Sequence, residues 1–133
     1  MQIYQSQTTK PIDRFVDDLD RAARARGFLI HNKETMAMAH TFGRHGAHVA
    51  EDFDLHMIQI CKPEKACKSL SKNPERAVLM PKFVMTFSHS GATQIRFLHY
   101  RPETVRDLID DAEFPESLAA SFAEIIAVIE EAR

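Results

Sequence analysis

Only two cysteines, Cys61 and Cys67, occur among the 133 residues. A reducing compartment keeps so small a number as thiols, and six residues of separation is not a C-x-x-C redox pair. No apolar run approaches the roughly 18 residues of a membrane span. The opening stretch, Met1 to Lys10, is polar and lacks the apolar core of a signal peptide. Together these absences point to the cytoplasm and to no membrane partner. Charge of either sign is not in excess. A formal net charge of -2 argues against a nucleic-acid partner, which calls for a basic surface that displaces counterions. The closest basic cluster, Arg21, Arg24 and Arg26, is interleaved with Asp17, Asp18 and Asp20, and reads as a solvated helix face. Internal repeats, linkers and low-complexity segments are absent. So are the Walker pattern, the dinucleotide fingerprint, H-E-x-x-H and the nucleophile elbow.

What is present suits one domain spanning residues 1–133. Hydrophobic residues make up 44% and charged residues 27%, enough for a core under a solvated surface. Ile3 to Thr8 reads as a first strand. A helix from Pro11 to Arg26 follows, with Thr8 or Thr9 as cap, Pro11 in its first turn and Gly27 at its end. Ile12, Phe15, Val16, Leu19 and Ala23 form its buried stripe. Phe28 to His31 is a second strand, Thr35 to Arg44 or His45 a second helix, and Phe53 to Cys61 a third strand. That strand is apolar in part on both faces, which suggests cover by helices on one side and a partner subunit on the other. Pro63 to Ser71 is a third helix, broken by Asn73-Pro74. Lys82 to Ser88 and Thr93 to Tyr100 form a hairpin about His89-Ser90-Gly91-Ala92. Phe83, Met85 and Phe87 share one face of its first strand, and Ile95 and Phe97 point inward from the second. Pro102 to Ile109 reads as a short helix. The C-terminal helix, 115–131, carries Leu118, Phe122, Ile125, Ile126 and Ile129 on one face. The order predicts an α+β fold, with an antiparallel or mixed sheet and helices gathered mainly on one face.

Several local motifs resemble the family known as domain of unknown function 302. They are Gly27-Phe28 after an amphipathic helix, Ile60-Cys61-Lys62-Pro63 with Ala66, Asn73-Pro74, and Ala77-Val78-Leu79-Met80-Pro81 leading into Phe83-Val84-Met85. The likeness spans roughly residues 8 to 100. It implies a TATA-box-binding-protein-like α+β fold and a homodimer, and no reaction. The chain departs from the family pattern at Lys62, where members often carry asparagine, and at Lys82, where they often carry cysteine. Family chemistry that paired two cysteines would not carry over.

Cys61 is the first candidate for chemistry. It ends a strand just before a helix whose N-terminal pole is positive, with Lys62 and Lys65 beside it; all three favour the thiolate form. The plainer reading is a core cysteine at a strand end. Five of the seven histidines, His31, His40, His45, His48 and His56, fall between positions 31 and 56. His45 and His48 are three apart, a spacing that puts two imidazoles on one helical face if the helix continues through Gly46. Such a pair, with His40 or Cys61, suits a metal ion or haem iron. The plainer reading is a histidine-rich surface. Arg44 and His45, inside Phe42-Gly43-Arg44-His45-Gly46, suit an anion, against a simple helix-end loop. Asp17-Asp18 and Asp110-Asp111 read as solvated.

The reading that follows is a homodimeric binding module of no assigned reaction. It would hold a small molecule or protein partner at Cys61, Lys62, His40, Arg44, His45 and Lys82. The alternatives are thiol or sulfur handling at Cys61, and metal or haem binding by the His40–His48 segment through His45 and His48. No cofactor follows from the sequence.

Overall fold

A computed structural model describes residues 1–133. Five strands, β1 (Gln2–Thr8), β2 (Leu29–Ile30), β3 (His56–Cys61), β4 (Phe83–His89) and β5 (Ala92–His99), form one sheet of order β1-β5-β4-β3-β2. Every pairing is antiparallel, so the sheet is not mixed. The β4–β5 turn has Ser90 and Gly91 both at positive φ. Its two central residues thus take the twist that suits a two-residue hairpin loop.

Helix α1 (Ile12–Ala25) buries Ile12, Phe15, Val16, Leu19 and Ala23, the stripe expected from their spacing. Gly27 at φ +82 lets the chain reverse, and the Phe28 N–H returns to the Ala23 carbonyl at 3.0 Å, closing the helix in a Schellman manner. Helices α2 (Met38–Arg44) and α3 (Pro63–Lys72) bury no side chain completely. Helix α4 (Pro102–Leu108) is short. Helix α5 (Phe114–Ala132) buries Leu118, Phe122, Ile125 and Ile129 as expected, while Ile126 packs on the core from its flank. The core is one cluster in which α1 and α5 lie on Ile58, Ile60, Val84, Ile95 and Phe97 of the sheet. The Phe97 and Phe122 rings meet edge to face, centroids 5.9 Å apart.

Strand alternation turns Met57, Phe83, Met85, Phe87, Leu98, Ile3 and Leu29 to the opposite face. The cross-strand pair Ile3–Leu98 is 59% and 45% exposed, and Arg96 lies over the Phe87 ring at 5.4 Å. Every buried apolar helix side chain belongs to the other face. The helices therefore gather on one side, and the set Phe83, Met85, Phe87 belongs to the side they leave.

Four features differ from the sequence expectation. Strand β2 is only two residues long, because the Asn32 side chain continues the ladder in place of backbone. It donates to the Met57 carbonyl and accepts from the Gln59 N–H, both at 2.8 Å. Strand β3 starts at His56 and not at Phe53; Asp54 accepts instead from the Ser88 N–H at 3.0 Å. A 3-10 helix, Pro74–Leu79, follows the Asn73-Pro74 break, with Asn73 capping the Glu75 N–H. Asp111 is not solvated. Its side chain is 6% exposed and forms a two-pronged ion pair with Arg76, itself 7% exposed, at 2.6 and 2.9 Å. It also accepts from the Glu113 and Phe114 N–H groups, capping α5. With the Asn73 amide, which donates at 2.9 Å, five hydrogen-bond donors, two of them on a guanidinium, outweigh the cost of removing this carboxylate from water.

Candidate functional site

The Cys61 end of β3 meets α3, α5 and the Met80-Pro81-Lys82 approach to β4 around a cavity of about 30 Å³, room for one or two water-sized groups. Its wall is apolar where Phe28, Ile60, Met80, Phe114 and Leu118 converge, and its rim carries Lys62, Lys65, Lys82, Ser117 and Ser121. The Ile60 N–H donates to the Lys82 carbonyl at 3.1 Å, which fixes Lys82 beside Ile60 on the helix-covered side of the sheet. Cys61, half-buried, borders the cavity from the last position of β3.

The three lysines differ in what holds them. Lys62 donates to Glu124 at 2.8 Å and lies 4.6 Å over the Phe28 ring; its ammonium holds the Glu124 carboxyl below its ordinary range. Lys65 donates to the Ser121 hydroxyl at 2.9 Å. Lys82 donates to the Met80 carbonyl at 3.1 Å. Neither Lys65 nor Lys82 has a carboxylate partner. Burial pushes the Lys82 ammonium below its ordinary pKa; the charge of Cys61 opposes that shift and the charge of Lys65 adds to it.

An open groove of about 760 Å³ adjoins the cavity and shares Lys62, Lys65, Ser69 and Ser117 with it. Its cations are mostly neutralised. Lys68 pairs with Glu64, Lys72 with Glu113, Arg76 with Asp111 and Arg26 with Glu131.

Of the residues expected to carry function, Cys61, Lys62 and Lys82 come together here. His40, Arg44, His45 and His48 do not. They lie on α2 or just after it, all exposed, and the cavity has no histidine in its lining. Gly46 takes φ +87 and the helix stops at Arg44, so His45 and His48 share no helical face. No group of three His, Cys, Asp or Glu side chains is placed to hold a metal ion. His56 turns its Nδ1 to the Asp54 carbonyl at 2.9 Å. Phe28 and Met80, noted only as motif residues, and Phe114, Ser117 and Ser121 were not singled out as site residues. Ser117 and Ser121, four apart on the flank of the α5 stripe, were the available clue.

These features define a small α+β domain with a five-stranded antiparallel sheet, a one-sided helical layer and a lysine-rimmed cavity. The chain belongs to the family described as "Domain of unknown function DUF302", whose model matches residues 4–132. It is similar in fold to a solved structure, "Crystal structure of uncharacterized conserved protein DUF302 from Bacillus stearothermophilus". The TM-score is 0.79 at 16% identity, over 100% of this chain and 99% of that one. No curated protein matches the chain. No helix is long and apolar enough to cross a membrane.

Proposed function

We propose that the chain is a homodimeric binding module that holds a small anionic molecule in the cavity between β3, α3 and α5. One observation carries the ligand reading: Lys82, half-buried at an apolar recess, has no carboxylate within ion-pair reach, and the exposed Lys65 lines the same recess. An ammonium withdrawn from water is costly unless something negative meets it, and a ligand carboxylate would fill that role. Thermal unfolding tests it. Glyoxylate, pyruvate or acetate at millimolar concentration should raise Tm in a saturable way, and Lys82→Met should abolish the rise. No shift with any of the three, in protein that melts cooperatively, would reject the reading.

The dimer rests on the open sheet face, where Ile3, Leu98 and Leu29 are exposed beside Met57 and Met85. Apolar side chains side by side on a face without helices are what an interface needs. Size-exclusion chromatography with light scattering should give twice the chain mass; a monomer at micromolar concentration removes this part.

A second reading, thiol chemistry, is favoured by Cys61 standing where β3 hands over to α3 beside Lys62. It predicts that Cys61, although half-buried, alkylates faster at neutral pH than exposed Cys67. The reverse order would discard it.

A further inference from the structure

We propose that Lys82 is a reactive amine that captures small oxo acids as an imine, with Lys65 seating the ligand carboxylate. The inference rests on the cavity being a ligand site and adds what the ligand is and what happens to it. Four observations lead there. Lys82 emerges from a strand start and is fixed by the backbone bond between Ile60 and Lys82, so its stem is anchored. Its amine contacts only the Met80 carbonyl and, at 3.9 Å, the Met80 sulfur; no carboxylate pairs with it, and the opposing pull of Cys61 is outweighed by burial. The recess beyond it is apolar and has room for only one or two small groups. A second cation, Lys65, lines the same recess and its Nζ is engaged only by a serine hydroxyl. A lysine withdrawn into an apolar pocket beside another cation is the arrangement that yields a nucleophilic amine near neutral pH, and the downward pull on the Lys82 pKa agrees with it.

The step balances without any further reagent. The Nζ lone pair of neutral Lys82 forms a bond to the carbonyl carbon, and the C=O π pair moves to oxygen, which takes a proton. The resulting carbinolamine expels that oxygen as water, carrying away both amine hydrogens in total, and leaves C=N. Nothing is oxidised or reduced. The carboxylate places the ligand and offsets the charge of Lys65. The recess takes only the carbonyl end of the ligand, its carboxylate lying at Lys65 on the rim, which favours glyoxylate- or pyruvate-sized acids over bulkier ones.

Reductive trapping tests this directly. Protein incubated with glyoxylate and sodium cyanoborohydride at neutral pH should gain a carboxymethyl group at Lys82, found by intact mass and peptide mapping. The rate should exceed that of exposed lysines, by less than about tenfold for each pKa unit of lowering, because a less basic amine is also a weaker nucleophile. Lys82→Arg, which keeps length and charge, should abolish the fast label. Lys65→Met should slow labelling by glyoxylate clearly more than labelling by acetaldehyde, which has no carboxylate and loses only the help that the Lys65 charge gives in keeping Lys82 neutral. Labelling spread evenly over the lysines, or a fast label that survives in Lys82→Arg, would overturn the inference. Equal slowing of both aldehydes by Lys65→Met would overturn the role of Lys65. The underlying site reading is separable: a saturable rise in Tm with glyoxylate but no selective trapping rejects the imine and keeps the cavity as a binding site. Neither a rise nor trapping rejects both.

Discussion

The two ends of β3 show how differently one strand can be finished. At His56 it meets a seven-residue helix that buries nothing and a run of exposed histidines. At Cys61 it meets a recess closed by Phe28, Met80 and Phe114 and braced by the buried Arg76–Asp111 pair. Residues with chemical names crowd the first end; withdrawal from water, which makes chemistry possible, occurs at the second. A matched pair of phenylalanines measures that contrast. Phe114 is 2% exposed, lies under Arg76 at 5.2 Å and forms the cavity wall. Phe42 is 41% exposed on α2, with Phe53 as its aromatic neighbour at 6.0 Å. Phe114→Ala should cost about 3–5 kcal/mol in urea unfolding, and Phe42→Ala about 1 kcal/mol or less. Equal costs would mean that the two ends are packed alike.

Acid should expose the same difference. Arg76, foremost, with Asn73 and the Phe114 and Glu113 N–H groups, holds the Asp111 carboxyl far below its ordinary range. Below about pH 4, where an unfolded aspartate takes up a proton, the unfolded chain binds more protons than the folded one. Stability contributed by Asp111 is therefore present above that pH and drains away as pH falls toward the folded value. Asp111→Asn should lower Tm at neutral pH and make the fall of Tm below about pH 4 shallower. It should not abolish that fall, because Asp18, Asp20 and Asp54 are lowered too. An acid limb as steep as in the parent chain would show that the Arg76 brace is not what acid breaks.

Lys82 sharpens the contrast from the other side. Burial disfavours its charge, so in the folded chain it is a local cost below the ordinary lysine pKa, and that cost fades as pH rises toward 10.5. Lys82→Met should raise stability at neutral pH by about 0.5–2 kcal/mol while removing the ligand-induced Tm shift, as expected where function is held at the expense of stability. Destabilisation by this substitution would mean that the ammonium is well satisfied where it lies.

Much of this was legible in the residues and some was not, for physical reasons. The α1 stripe, most of the α5 stripe, Gly27 and the hairpin at Ser90-Gly91 are local features, and they stand as read; Pro11 caps α1 from just outside it, and neither Thr8 nor Thr9 bonds to its end. The β4 alternation was visible, but a period of two defines two faces without saying which is inside. Val84 and Thr86 face the helices because Phe15 and Leu19 of α1 and the α5 stripe already fill that space. Phe83, Met85 and Phe87, the larger set, are left outside. Asp110-Asp111 looked like a solvated doublet because no local pattern announces a guanidinium 35 residues away. Cys61, Lys62 and Lys82 were singled out, yet what encloses the cavity they share, Phe28 and the α5 serines, comes from segments far apart in the chain. Asn32, a side chain standing in for a strand, has no sequence signature at all.

The smallest effects belong to the histidine-rich end, and they test whether density of ligating residue types means anything there. His45 and His48 are exposed, lie beyond the last turn of α2 and have no third donor grouped with them. His45→Ala and His48→Ala should each change unfolding free energy by no more than about 0.5 kcal/mol. Two imidazoles on a loop hold a divalent ion weakly, since ordering the loop opposes binding and only two bonds form. Stoichiometric zinc or nickel, added to protein purified without a histidine tag, should therefore leave Tm unmoved, in the single and the double variant alike. A rise in the parent chain that disappears in the double variant would reverse the comparison. It would require the residues after Gly46 to close on a metal with a ligand brought from elsewhere, Glu51 or Asp52 being the nearest in sequence.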